Sequence, residues 1–315
     1  MPEPRAALLH LDADGLRAIM SPARAIAALE RALLAGVAAA PPRAHVAVPG
    51  GELLLMPAAG AQGVGVKLVT VNPANPPRGL PLVGGVYVLF DATTLAPRLT
   101  IDAAALTELR TAAVSALATA RLAAPAARRL VLFGAGAQAR AHLDAICAVR
   151  PIEEVVVVGG ASAARAAALV ELARARGLRA RVGAADDVQD AEIVCTCTAS
   201  SIPVLRGALL PAGAHVNAVG AYRPDARELD DDTLSGARIV VDDMEMALEE
   251  AGDLLIPLAA GVLDRAAIVA DLATLVRGAT VRTSARDVTV FKCVGVAWED
   301  LAIALAAADR TAAAA

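Results

Sequence analysis

Apolar residues spaced three and four apart run through AIAALERALLAGVAAA, just after Ser21-Pro22, and predict a helix. Ser21 is placed to cap it and Pro22 to occupy its first turn. The first forty residues as a whole read as helical, and the Pro41-Pro42 pair is the expected stop. From Arg43 to about residue 99 the period shortens. AHVAVP, ELLLMP, GVGVKLVTVN and LVGGVYVLFD are short β-like runs punctuated by Gly and Pro, as in a meander. Asp102 then caps a helix expected over about 103–123, ALTELRTAAVSALATARLA.

From Arg128 onward strands and helices alternate. RRLVLFGAG, EEVVVVGG, RARV, EIVCTCTA, AHVNAVG and ARIVVD read as strands. AQARAHLDAICAV and SAARAAALVELARARG read as helices between them. Unbroken Val/Ile/Leu strands separated by helices indicate a parallel sheet covered on both faces. ARELDDDTL is expected to be helical, and the acidic runs at 228–232 and 242–250 read as helix N-terminal charges and solvated faces. The last segment, GVAWEDLAIALAAADR, is a helix expected to pack back on the first domain, its Ala and Leu spacing being that of packing.

A chain of 315 residues is comfortable for two cores. It is 57% hydrophobic but only 2% aromatic, so those cores must be built from Leu, Val and Ala. A net charge of -4 without a long basic run argues against a nucleic-acid surface. The apolar stretches at 32–40 and 254–263 are too short to span a bilayer. MPEPRAALLHLDADG lacks the basic-then-apolar order of a secretory signal, so the expected location is cytoplasmic. Cys147, Cys195, Cys197 and Cys293 form no CxxC pair and are read as reduced thiols, with no metal site. His10, His45, His142 and His215 are read as satisfied surface or core histidines.

The most specific local pattern is LVLFGAGAQA at 130–139. Gly134-x-Gly136-x-x-Ala139, with Ala137 and Gln138 inside it, follows a hydrophobic strand and opens a helix. Gly134 allows the tight turn, Gly136 lets a pyrophosphate approach the backbone, and Ala139 lets helix and strand pack closely. The helix N-terminus adds N–H groups and a partial positive charge. A nicotinamide dinucleotide is the expected ligand. The second strand ends Val158-Gly159-Gly160-Ala161-Ser162, without the acid that would bind a free ribose 2′-hydroxyl. Ser162 and Arg165 stand there instead, which favours NADP over NAD without excluding NAD.

Lys67 is conspicuous inside the apolar run GVGVKLVTV, since a buried lysine is costly unless paired or functional. A snorkelling, outward-facing lysine is the alternative. GVKLVTVNPANPPRGLP, LTELRTAAVSALATARLA, LVLFGAGAQARAHL, HVNAVGAYRPDARELD and FKCVGVAWEDLA together resemble the ornithine cyclodeaminase/mu-crystallin family, in order, over about residues 43–305. The resemblance implies an α/β protein. A Rossmann-type doubly wound sheet, residues 121–293, would be inserted in a smaller α+β substrate-binding and dimerisation domain, residues 1–120 plus 294–315. It implies a homodimer. It places Arg43 and Arg110 on the substrate α-carboxylate, Lys67 near the reacting carbon, and Thr111, Gln138, Asn217 and Gly220 along the cofactor or active-site cleft.

Two positions depart from the cyclodeaminases. Tyr222 stands where their Asp handles the substrate amino group, and Leu54 replaces an acidic residue before Leu-Met-Pro. The wording GAYRPDARELD is more similar to the ketimine reductases and Δ1-pyrroline-2-carboxylate reductases, and Asp225 is read as a loop residue. The implied activity is NAD(P)H-dependent reduction of a cyclic ketimine carboxylate, either Δ1-pyrroline-2-carboxylate or Δ1-piperideine-2-carboxylate. An ornithine cyclodeaminase, an amino-acid dehydrogenase and a non-catalytic NADP-dependent binding protein stand as alternatives. The expected partner is a small imino or amino acid, with no nucleic acid and no membrane.

Overall fold

The computed structural model describes residues 8–37, 40–160 and 162–314. The chain divides into two compact units, one running to Arg110 and resuming at Val296, the other spanning Thr111–Gly295.

The first unit begins with β1 (Leu9–Leu11), α1 (Ala13–Ile19) and α2 (Pro22–Ala35). Ser21 Oγ accepts from Arg24 N–H, and α2 closes on Gly36 at φ +89°, five residues before the proline pair. The helical reading of the first forty residues thus fails at β1, while its residues 1–7, like the leader motif sought there, lie outside those described. β2 (Ala44–Val48), β3 (Gly51–Gly60), β4 (Gly63–Val71) and β5 (Val83–Asp91) are the expected meander. β6 (Pro97–Asp102) adds a strand that the sequence pattern did not announce. The sheet order is β1-β6-β5-β4-β3-β2, antiparallel throughout except for the parallel pair β1–β6.

Asp102 Oδ1 accepts from Ala105 N–H and opens α3 (Ala103–Leu122), within which the unit boundary falls. The closing helix, α10 (Ala297–Ala314), lies against α2, β3 and β4. Its apolar side and the inward residues Leu54, Met56, Ala58, Val69, Tyr87 and Leu89 make the core.

The second unit contains β7 (Arg129–Phe133), α4 (Ala137–Cys147), β8 (Glu154–Val158), α5 (Ala163–Ala175), β9 (Arg179–Val182) and β10 (Ile193–Thr196). β11 (His215–Ala218), α6 (Asp231–Leu234), β12 (Arg238–Val241), α7 (Met244–Glu250) and α8 (Gly252–Ala259) follow. β13 (Ile268–Asp271), α9 (Leu272–Val276) and β14 (Thr289–Lys292) complete it. All eight strands are parallel, in the order β13-β12-β14-β11-β10-β7-β8-β9. The succession β9-β8-β7-β10-β11 is the 3-2-1-4-5 order of a Rossmann sheet, whose direction of winding reverses at β7. In such sheets ligands bind beyond the carboxyl ends of the strands at the reversal. The Gly134–Gly136 turn leaves β7 at that place.

Two expectations are corrected here. Of ARELDDDTL only Asp231–Leu234 is helical, and Glu228 is fully buried in a bend just before the bridge residue Leu229. Asp242, also assigned to a solvated face, is buried and accepts from Val294 and Gly295 N–H at 2.8 and 2.7 Å.

Candidate active site

In the first unit, alternation along β4 puts Gly63, Gly65, Lys67 and Val69 on the inward face. Lys67 is 2% exposed, so the snorkelling alternative is ruled out. Its Nζ is 2.9 Å from Asp300 Oδ2. The other oxygen of that carboxylate is 3.4 Å from Arg110 Nε, and Arg110 Nη1 is 2.7 Å from Glu299 Oε2. Arg110, Glu299 and Asp300 are all buried. Arg43, half-buried just ahead of β2, is close enough to act on Lys67 through its charge. Burial pulls the Lys67 pKa down to about 8; Asp300 opposes that pull, and Arg110 and Arg43 add to it. An ammonium at that value exchanges its proton near neutral pH, as general acid-base work requires.

Tyr87 is the β5 partner of Lys67 and shares its face. Its hydroxyl sits over Gly65, where a Cβ would come within 1.9 Å of the oxygen, so only glycine fits beneath it. Burial, with the Asp300 charge behind it, pushes the phenol well above its usual range. Neither Tyr87 nor the Glu299-Asp300 pair stood out in the sequence. The available signal was two adjacent acids in the otherwise apolar GVAWEDLAIALAAADR.

In the second unit, Gly134 has φ +98°, and a Cβ there would stand 2.5 Å from the Cys197 carbonyl oxygen. Gly136 is the N-cap of α4 and brings no capping side chain, whereas α5, α6, α7 and α9 are each capped by a side-chain oxygen. A Cβ at Gly136 would meet nothing within 4 Å. An uncapped helix end and an open approach to the backbone fit a pyrophosphate. Ala137 is exposed and Gln138 half-buried in the first turn. His142 steadies that turn: Nδ1 is 2.8 Å from the Gln138 carbonyl and Nε2 is 2.9 Å from Ser115 Oγ. Burial lowers the His142 pKa to about 4, so it is neutral there.

Ser162 caps α5, its Oγ accepting from Arg165 N–H, and Arg165 is exposed. Thr111 is buried at the start of this unit. The Asn217 side chain is fully buried and engaged inside the sheet, Nδ2 donating to Thr119 Oγ1 at 2.9 Å and Oδ1 lying 3.3 Å from His215 Nε2.

Gly220 belongs to a buried ionic knot. Glu228 accepts from Thr196 Oγ1, from Thr198 N and Oγ1, and from Gly220 and Ala221 N. A side chain at Gly220 would collide with the Thr198 carbonyl and with Glu228. Asp253 accepts from Glu228 and Leu229 N–H and lies 2.8 Å from Lys292 Nζ, which also donates to the Ala221 carbonyl. The knot fixes the segments leaving β10, β11 and β14.

Residues 12–314 match the ornithine cyclodeaminase/mu-crystallin family. The chain belongs to that family. A Δ1-pyrroline-2-carboxylate reductase of Bacillus cereus is 36% identical over 257 residues, 80% of this chain and 79% of the relative. The Thermococcus litoralis Δ1-pyrroline-2-carboxylate reductase, solved with NADH and L-proline, superposes with a TM-score of 0.92 at 34% identity and 98% coverage of both chains. An archaeal alanine dehydrogenase dimer with bound NAD gives a TM-score of 0.91 at 30% identity, covering 98% of this chain and 97% of the other. Among the described residues no helix is long and apolar enough to cross a membrane.

Proposed function

We propose that the protein reduces a cyclic ketimine carboxylate, Δ1-pyrroline-2-carboxylate or Δ1-piperideine-2-carboxylate, to the cyclic amino acid with NAD(P)H. The observation that carries this is the cation cluster around the buried Lys67. Two guanidiniums stand beside one lysine: Arg110, paired with Glu299 and Asp300, and Arg43, whose charge acts on Lys67, itself paired with Asp300. Arg110 and Arg43 bind the substrate carboxylate, guanidinium being the group whose planar fork matches it. Lys67 gives a proton to the imine nitrogen, or orients the water that does. The Gly134–Gly136 turn would hold the dinucleotide's pyrophosphate, and the reduced nicotinamide would supply the hydride for the C=N carbon. Thr111, Ala137, Gln138 and Gly220 line the cofactor side, Asn217 supports β11 from within the sheet, and Ser162 with Arg165 faces the ribose.

The positions that distinguish the cyclodeaminases support a reductase. Leu54 is buried and Tyr222 half-buried where acids would hold a second amine, and Asp225 is exposed and paired with Arg223. Amino-acid dehydrogenation is the second reading, favoured by the likeness to the archaeal alanine dehydrogenase.

The active form is a homodimer. Val46, Leu53, Leu55, Val66, Leu68 and Val88 make a continuous apolar surface on the outward face of the first unit's sheet. A face of that kind calls for a partner.

A single panel tests the reaction. NADH and NADPH are each mixed with the five- and six-membered imino acids, or with pyruvate plus ammonium, and absorbance is followed. Ornithine with catalytic NAD is the separate control for proline and ammonia. Rapid oxidation with a cyclic imino acid is the expected result. Oxidation only with pyruvate and ammonium moves the assignment to a dehydrogenase.

A further inference from the structure

Lys67 and Lys292 are the only lysines in the sequence, beside 27 arginines. Both are buried and each is paired to an aspartate within 3 Å. Arginine holds its proton in any protein setting, whereas a lysine can be tuned to release one. Where Lys67 is concerned, the tuning groups come from four elements. α10 presents Asp300, and Glu299 through Arg110; α3 presents Arg110; β5 presents Tyr87; the segment before β2 presents Arg43. β3 contributes only Met56 opposite Lys67. Asp300 meets both the lysine and an arginine.

We propose that Asp300 is a positioning residue: its carboxylate, shared between Lys67 Nζ and Arg110 Nε, fixes where the ammonium sits and stabilises its charged form until a substrate is bound. The geometry leaves it little alternative. Asp300 is fully buried on a helix packed against β3 and β4, and an isolated carboxylate there would be expensive. Two cations at once repay that expense, and each is thereby held at a fixed point. Glu299 pairs with Nη1 of the same guanidinium, a second carboxylate that anchors Arg110. Preorganisation of this sort is what places a proton donor within reach of a reacting atom.

The proposal rests on reading Lys67 as the proton donor, but its test need not use substrate. Lysine-selective isotope labelling gives two side-chain signals, and Lys67→Met assigns them by deleting one. In the wild type the Lys67 signal should titrate with a midpoint near pH 8. In Asp300→Asn the midpoint should fall by at least about one pH unit, a tenfold loss of proton affinity. The Lys292 signal should stay in place and report that the fold is intact. Asp300→Glu, which keeps the charge, should bring the midpoint back toward the wild-type value. Arg110→Gln should move it upward, and these two variants carry the test if Asp300→Asn does not fold.

In turnover, the alkaline limb of the kcat profile should shift acidward in Asp300→Asn while NAD(P)H affinity is unchanged. A purely structural aspartate would lower kcat without moving the limb. An unmoved Lys67 midpoint in folded Asp300→Asn, or in both Asp300→Glu and Arg110→Gln an outcome opposite to that stated, overturns the proposal. A wild-type protein that titrates as expected yet reduces no imino acid would instead overturn the proposed function alone.

Discussion

Two lysine–aspartate pairs, one in each unit, have almost the same local geometry and opposite electrostatic surroundings. Lys67 lies 2.9 Å from Asp300 and Lys292 lies 2.8 Å from Asp253, and all four side chains are buried. Burial pulls both ammonium groups down. At Lys67 the neighbouring Arg110 and Arg43 add to that pull, and the value settles near 8. At Lys292 the paired Asp253, with the acidic Glu228 beyond it, outweighs burial, so the proton is held above the usual lysine range. The lysine–aspartate distances alone would make the two pairs equivalent. The second ring of charge decides that one lysine can work and the other can only hold.

The sharpest way to break this comparison is to replace each lysine by methionine. Lys67→Met should cut turnover by about 10²–10⁴-fold, the usual range for a lost general acid. NAD(P)H affinity, read by fluorescence titration, should stay within about twofold, since the dinucleotide fingerprint belongs to the other unit. Lys292→Met should show the reverse. Removing one partner of a buried ion pair costs about 3–5 kcal/mol, which urea denaturation would register. Turnover of the folded fraction should change far less than in Lys67→Met. If Lys292→Met silences a fully stable enzyme, the division of labour is wrong.

The same contrast explains what was legible in the sequence. β4 shows Val64, Val66 and Leu68 outward, so both of its faces are apolar and the direction of Lys67 could not be read from alternation. Its family resemblance suggested a role, but only the inward register showed burial. The Rossmann half was read easily because its strands are continuous apolar runs and its glycines have local steric reasons, such as φ +98° at Gly134. Glu228 was missed because its five donors come from Thr196, Thr198, Gly220 and Ala221, and no local pattern in an acidic run reveals partners so far away. Those donors hold Glu228 in a bend where propensity expected a helix. The Glu299-Asp300 pair was hidden for the same reason, its cations lying about two hundred residues earlier in the sequence.

A smaller effect sharpens the comparison from the cofactor side. Gly136 has φ -87° and open space where a Cβ would go, so Gly136→Ala should fold with wild-type stability. If a pyrophosphate packs against that backbone, the added methyl costs about 1–3 kcal/mol of overpacking in the complex alone. NAD(P)H binding should then weaken roughly tenfold to a hundredfold. Unchanged affinity in a stable variant would mean that the dinucleotide does not use this turn. The outcome matters for the lysines too, because a protein that has lost its cofactor would be silent whatever Lys67 does.

The smallest predicted change concerns which dinucleotide is preferred. Ser162 caps α5 with its hydroxyl, and aspartate is as good a cap, so Ser162→Asp should preserve the helix. It would also introduce a carboxylate where the sequence spacing places the ribose. A 2′-phosphate would be repelled, while a free 2′-hydroxyl gains an acceptor. The ratio of NADPH to NADH affinity should fall by about tenfold, or 1.4 kcal/mol, with kcat for the better coenzyme little changed. Equal effects on both coenzymes would move the ribose away from Ser162 and leave Arg165 without a reason to face it. Because the substitution touches neither lysine pair, any change it produces in the Lys67 titration would show that charge on the second unit reaches the first.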